Sequence, residues 1–234
     1  MRKIRDLIEI VISMAGFVPR TATIFRIIIM AASLCFSFYL TIYEALNPGI
    51  AIIYFLVAEV LYLGFISSVL PENGLRHWFM RKWDDEKSGY RAYETILGFL
   101  FFHNGASIGY IASSSPGTLF NIDDKGIFFL VLPFLIAFGF GIKIWAAKVV
   151  SVDIYYWKDM FLGRKICDFV VTGPYKYFSN PMYGIGQLPA YATAIWYGSI
   201  NGLIAAFVNQ LLIFTFYFLA EKKFIKRVYL TESK

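Results

Sequence analysis

Residues 177–220 read YFSNPMYGIGQLPAYATAIWYGSINGLIAAFVNQLLIFTFYFLA and contain no Asp, Glu, Lys or Arg over 44 positions. One helical crossing of a bilayer takes about 20 apolar residues, so this run is long enough for two. Tyr197–Gly202 (YGSING) supplies the turn chemistry between them. The stretch therefore predicts a helical hairpin with both outer ends returning to one face of a membrane.

Working upstream, uncharged or nearly uncharged runs cover 27–43, 45–71 (broken only by Glu59), 95–122 and 126–142, each long enough for one crossing. Asn47-Pro48-Gly49 and Ser113–Gly117 (SSSPG) separate the first span from the second and the third from the fourth. The composition agrees, with 58% hydrophobic, 19% aromatic and 16% charged residues in 234, against roughly 25% charged in a soluble domain. The expected fold is all-α: a polytopic transmembrane helical bundle of about six spans, with a C-terminal hairpin.

The charge map orients it. Of 22 Lys and Arg residues, five lie in or beside the N-terminal segment, five between spans two and three, six from Lys143 to Lys176 and five from Lys222 onward; only Lys125 falls in the alternate loops. Cytoplasmic loops collect positive residues, so the division expects both termini in the cytoplasm. The net charge of +6 is read as facing anionic lipid, with no nucleic-acid partner. The expected organisation is one integral membrane domain. It comprises an interfacial helix over 1–20, four spans over 21–147, a polar cytoplasmic segment over 148–183, the hairpin over 184–220 and a tail over 221–234. Apolar residues at 4, 7, 8, 11, 14, 15 and 18 give the first segment one apolar face, while Glu9 interrupts what would otherwise resemble a secretory leader. Cys35 and Cys167 are too few for a disulfide framework, and His77 and His103 too few for a multi-histidine metal site.

Chemistry concentrates where the polar segment meets the hairpin, at Gly173–Gly186 (GPYKYFSNPMYGIG). Asn180-Pro181 has the form of a helix start, with Asn as N-cap and Pro at the first helical position. The unpaired N–H groups of such an end suit an anion. Gly184 and Gly186 leave room for close approach to the backbone, and Tyr175, Tyr177 and Tyr183 offer faces to a cation. A capped membrane helix with interfacial tyrosines is the plainer account. At the far end of the hairpin Glu221 opens the exit sequence EKKFIKRVY. Both ends return to one surface, so Glu221 and Asn180-Pro181 can line one pocket though some 40 positions apart.

Gly-Pro-Tyr-Lys, then Asn-Pro-Met-Tyr with two glycines, then a hairpin and an exit glutamate resembles the membrane phospholipid methyltransferases. The phosphatidylethanolamine N-methyltransferases are the nearest type and the isoprenylcysteine carboxyl methyltransferases are relatives. The resemblance covers about residues 139–229. It implies S-adenosylmethionine as cofactor, with Pro174, Tyr175, Asn180, Pro181, Tyr183 and Gly184 lining its pocket and Glu221 holding its polar part. It also places Gly139 and Gly141 as an upstream Gly-x-Gly, a pattern that otherwise serves helix packing. Lys222 stands where the family has a second exit acid, and Ser179 where many relatives have Arg. The implied reaction is methyl transfer to a membrane lipid headgroup amine or another hydrophobic acceptor. Glu221, Asp153 and Asp159 are the acidic candidates for removing its proton, and Lys176, Arg164 and Arg227 for holding a lipid phosphate or anchoring the surface. A nicotinamide-dependent membrane reductase of the sterol type, and a non-catalytic lipid-binding relative, are the alternatives. Glu59, an acid within a span, expects a polar partner such as His103-Asn104.

Overall fold

The computed structural model describes residues 2–19, 22–43, 47–83, 85–120 and 128–230, and all regular structure among them is helical. α1 spans Arg2–Met14, α2 Ile24–Tyr43, α3 Pro48–Val69, α4 Arg76–Lys82, α5 Glu86–Ser113, α6 Phe128–Tyr155 and α7 Lys158–Leu162. After a 3₁₀ turn at Gly173–Lys176 come α8 (Leu188–Trp196) and α9 (Ile200–Phe216), which runs on through α10 (Lys222–Ile225) to Leu230.

Among the described residues, four helical segments are long and apolar enough to cross a bilayer: Pro48–Val69, Glu86–Ser113, Val131–Leu162 and Ile200–Leu230. Their outward faces carry the large apolar side chains, such as Ile53, Val60, Phe134, Ile204 and Phe207. That much uncovered apolar surface suits lipid and not water. The apolar stretch of α2, Ile24–Leu40, is shorter, and α8 has nine residues. The first limb of the expected hairpin is thus a brief helix preceded by turns. Lys125, together with the start of the expected fourth span, lies outside the described residues.

Local chemistry explains the helix ends. Asn47 Oδ1 accepts the Ile50 N–H at 2.9 Å ahead of Pro48, so the Asn-Pro turn is the N-cap of α3. Asp85 caps α5 through Ser88 N at 2.8 Å, and Ser199 caps α9 through Gly202 N at 3.0 Å. The two turn sequences singled out above meet each other: Gly117 N and Leu119 N donate to the carbonyls of Tyr197 and Gly198, and the hydroxyls of Ser115 and Ser199 lie 2.8 Å apart.

Among the described residues the core has one aromatic-rich cluster at the α4–α7 end, including Tyr62, Tyr93, Leu97, Tyr156, Met160, Phe161, Ile213 and Phe216, a smaller one of Ala51, Phe55, Ile108, Ile111, Ala205 and Ala206, and a third of Ala146, Val150 and Met182. α1 packs on α6, with Tyr156 Oη donating to Ser13 O at 2.7 Å. The turn after it abuts α5 at Gly16 and Gly98, where a Cβ on either would fall 2.3 Å or less from the other's carbonyl oxygen. Ile4, Leu7, Ile8 and Val11 are left exposed along one side.

Glu59 is buried and accepts from Asn209 Nδ2 at 2.6 Å, and the same nitrogen donates to Asn104 Oδ1 at 2.9 Å. The expected polar contact therefore forms with Asn104, through an asparagine of α9. His103 turns the other way, towards the Tyr54 and Ser33 hydroxyls.

Candidate active site

Two departures from regular helix shape the site. Ser151, at φ 78°, kinks the long helix near the end of α6, and Trp157, at φ 52°, takes a left-handed conformation before α7. That conformation is uncommon for a bulky side chain and persists only where its surroundings fix it. Here it aims the indole at the last helix, where Trp157 Nε1 donates to Glu221 Oε2 at 3.1 Å.

Glu221 itself ends a π-helical turn, Tyr217–Glu221, a form concentrated at functional sites. Its Oε2 also accepts from Tyr183 Oη at 2.8 Å. One carboxylate oxygen thus joins the α6–α7 elbow, the Asn-Pro turn and the exit of the last helix, which leaves Oε1 for a ligand. Burial, and then the nearby Glu221 charge, push the Tyr183 phenol well above its ordinary range, which keeps it protonated and donating. Burial likewise raises the Tyr175 phenol, with Glu221 again the second cause.

Asn180-Pro181 does not begin an α-helix. Asn180 Oδ1 accepts from Tyr183 N at 3.2 Å and its carbonyl from Gly184 N at 3.0 Å. The capping bond therefore closes an isolated turn, followed by a 3₁₀ turn at Ile185–Gln187 and α8 from Leu188. The physical reason lies in Gly184, Gly186 and Pro189, which support no regular first turns. The turn is pinned from α9 instead: Gln210 Nε2 donates to the carbonyls of Tyr183 and Gly184 at 2.8 and 3.1 Å.

These groups border a cavity of about 560 Å³, within the size range of small-molecule sites, roughly 300–1,000 Å³. Residues singled out from the sequence that line it include Tyr175, Ser179, Asn180, Tyr183, Gly186, Glu221 and Asp159. Asp159 is buried, with Oδ1 accepting from Met160 N at 2.8 Å and Oδ2 from Tyr229 Oη at 2.9 Å. Pro174, Pro181 and Gly184 shape the adjoining turns without lining the cavity. Gly173 needs its glycine: at φ 62° it sits against Val149 and Trp145 of α6, where a Cβ would come within 2.9 Å of Val149 Cγ2.

Several expectations need correcting. Gly139 serves helix packing, since a Cβ there would meet Pro189 Cδ at 2.5 Å, and Gly141 faces open space. Asp153 does not line the cavity although its neighbours Ile154 and Tyr155 do; it pairs with Lys158 at 3.2 Å beside a second pocket near Glu86 and Tyr90. Arg164 makes a two-bond ion pair with Glu86 at 2.6 and 2.7 Å, and Arg227 pairs with Glu72. Each guanidinium ties a loop to a helix, and neither lines the cavity. Lys176 is exposed, over the Tyr177 ring. The sequence reading missed Trp157, Gln210 and Lys143. Lys143, counted there as a loop residue, lies inside α6 and lines the cavity. A cation directly after the charge-free run 126–142 was the available signal.

Fold and site define an integral membrane protein with a ligand-sized cavity walled by acids and aromatics beside its last helix. Residues 129–232 match the model of the phospholipid methyltransferase family. Among similar curated proteins, all named phosphatidylethanolamine N-methyltransferase, that of Schizosaccharomyces japonicus is 31% identical over 99 residues, covering 42% of this chain and 11% of the relative. That of Schizosaccharomyces pombe is 30% identical over 98 residues, with 42% and 11% covered. That of Eremothecium gossypii is 28% identical over 88 residues, with 38% and 10% covered. The matches thus span about a tenth of the relatives' length. No solved structure matches.

Proposed function

We propose that this chain transfers a methyl group from S-adenosylmethionine to the headgroup amine of a membrane phospholipid of the ethanolamine type. The observation that carries the reading is the convergence of Tyr183, Trp157 and Glu221 at one wall of the cavity, within the segment that matches the family. The lining suits the cofactor: carboxylates beside indole and phenol faces attract a positively charged group. When bound, S-adenosylmethionine supplies an activated methyl on a cationic sulfur.

The protein's share is mainly alignment and exclusion of water. Glu221, with Oε2 fixed by two donors, presents Oε1 to the cofactor's positive end. Tyr175, Asn180 and Tyr183 line the same wall. An ethanolamine amine arrives protonated, and Asp159 would accept that proton at a carboxylate oxygen; its place in the cavity lining, with Asp153 outside it, supports that role over Asp153. Both termini in the cytoplasm would set this site at the inner leaflet. The similarities do not favour a nicotinamide-dependent reductase.

Incubation with a methyl-labelled donor and total lipid extract tests the reading. Label in N-methylated phospholipid is the expected result. Absence of both transfer and donor affinity in folded protein would overturn it.

A further inference from the structure

Charged residues along the cavity are unevenly divided. Glu221, Asp159 and Asp168 are among its lining residues, and Lys143 is the single cation among them. No ion pair or hydrogen bond holds the Lys143 ammonium among the described residues; its neighbour is the Phe101 ring, with Nζ 5.8 Å from the centroid. Its stem packs beside the Asn-Pro turn, with Cγ 3.4 Å from where a Cβ on Gly186 would stand. An ammonium in an apolar bundle is costly to keep without a counter-charge, so this one is placed for an anion that arrives with a ligand.

The geometry of α6 indicates which ligand. Ile136, Phe140 and Lys143 stand at i, i+4 and i+7, on one stripe of the helix. All three line the cavity, and Ile136 and Phe140 are also exposed on the outer apolar surface. The stripe therefore leads from the lipid-facing surface to an ammonium about 4.5 Å further along the axis. Next come Tyr155, whose ring lies 5.8 Å from that of Phe101 and whose buried hydroxyl has no hydrogen-bond partner among the described residues, and then the acids. That order of apolar, cationic and acidic groups matches the order of tails, phosphate and ammonium in a zwitterionic phospholipid.

We propose that Lys143 anchors the acceptor by its phosphate, with the Tyr155 hydroxyl as a second donor and the tails leaving along Phe140 and Ile136. This assignment rests on the methyl-transfer reading for its biological sense, but its test does not. A charge-assisted bond of this kind is worth about tenfold or more in affinity. Native mass spectrometry of the full chain released from detergent compares retention of phosphatidylethanolamine with that of diacylglycerol, which has tails and no phosphate. Wild type is expected to prefer the phospholipid about tenfold or more, Lys143→Gln to lose the preference, and Lys143→Arg to keep it. An unaltered preference in Lys143→Gln overturns the anchor, as does complete displacement of the lipid by an equal concentration of inorganic phosphate. Retained melting temperature shows that the variant is folded; should Lys143→Gln unfold, the Lys143→Arg and Tyr155→Phe proteins carry the comparison, and loss of preference in the arginine variant overturns the anchor. Methyl-transfer kinetics separate the two proposals. Wild type that prefers phospholipid but transfers no methyl removes the proposed function and leaves the anchor. A raised lipid KM in Lys143→Gln, with donor affinity unchanged, supports both.

Discussion

Replacing Glu221 by Gln keeps the side chain's shape and one carbonyl acceptor while removing its charge. In the folded protein the Trp157 and Tyr183 bonds then weaken from about 1.5–3 kcal/mol each to about 0.5–1.5 kcal/mol. That loss is offset by no longer holding a carboxylate in a buried position, so stability is expected to move by no more than about 2 kcal/mol either way. Ligand binding has no such compensation. A carboxylate about 4 Å from a cationic centre, at an effective dielectric of about 20, contributes about 4 kcal/mol. Allowing for partial screening, S-adenosylmethionine affinity should fall by about 100-fold, or roughly 2.7 kcal/mol. Equilibrium binding of labelled donor to detergent-solubilised protein measures this, with thermal denaturation alongside. Glu221→Ala, which also strands both donors, should abolish binding. Donor affinity within threefold of wild type in folded Glu221→Gln would refute the assignment of this carboxylate to the cofactor.

Gly139→Ala drives a methyl into the Pro189 ring and should cost about 1–3 kcal/mol by chemical denaturation. Gly141→Ala meets nothing and should gain a few tenths to about 1 kcal/mol through helix propensity; equal costs at the two positions would contradict the packing role of Gly139. Asn209→Leu leaves the buried Glu59 carboxylate without its donor and is expected to cost about 3 kcal/mol or more. The Glu59→Leu, Asn209→Leu double variant should recover part of that loss, and strict additivity in the double-mutant cycle would argue against direct coupling. Arg164→Ala and Arg227→Ala remove exposed ion pairs, so stability should change by less than about 1 kcal/mol and lipid KM by less than about twofold. A tenfold rise in lipid KM for either would return it to the phosphate site.

Composition and charge-free run lengths were enough to establish an all-helical membrane protein, because a bilayer imposes length and apolarity on every crossing whatever the packing. Local chemistry was equally legible where it acts within a few residues, as in the Asn47 cap and the YGSING turn. The hairpin reading also placed Glu221 beside the Asn180 turn, since connectivity alone returns both ends to one surface. Its first limb was overestimated, because Gly184, Gly186 and Pro189 break regular helix in a stretch whose apolarity says nothing of backbone geometry.

Charge identity in the sequence named the acids and cations, but only tertiary packing sorted them. Asp153 and Asp159 differ by six positions and face different pockets, with the left-handed turn at Trp157 lying between them, which hydropathy does not register. Arg164 and Arg227 find acids far along the chain, at the start of α5 and in the turn after α3, and are neutralised, while Lys143 finds none among the described residues and lines the cavity. Which elements cross the bilayer follows from the cost of placing each residue type in lipid. Which charges remain for chemistry depends on partners brought together from far along the chain.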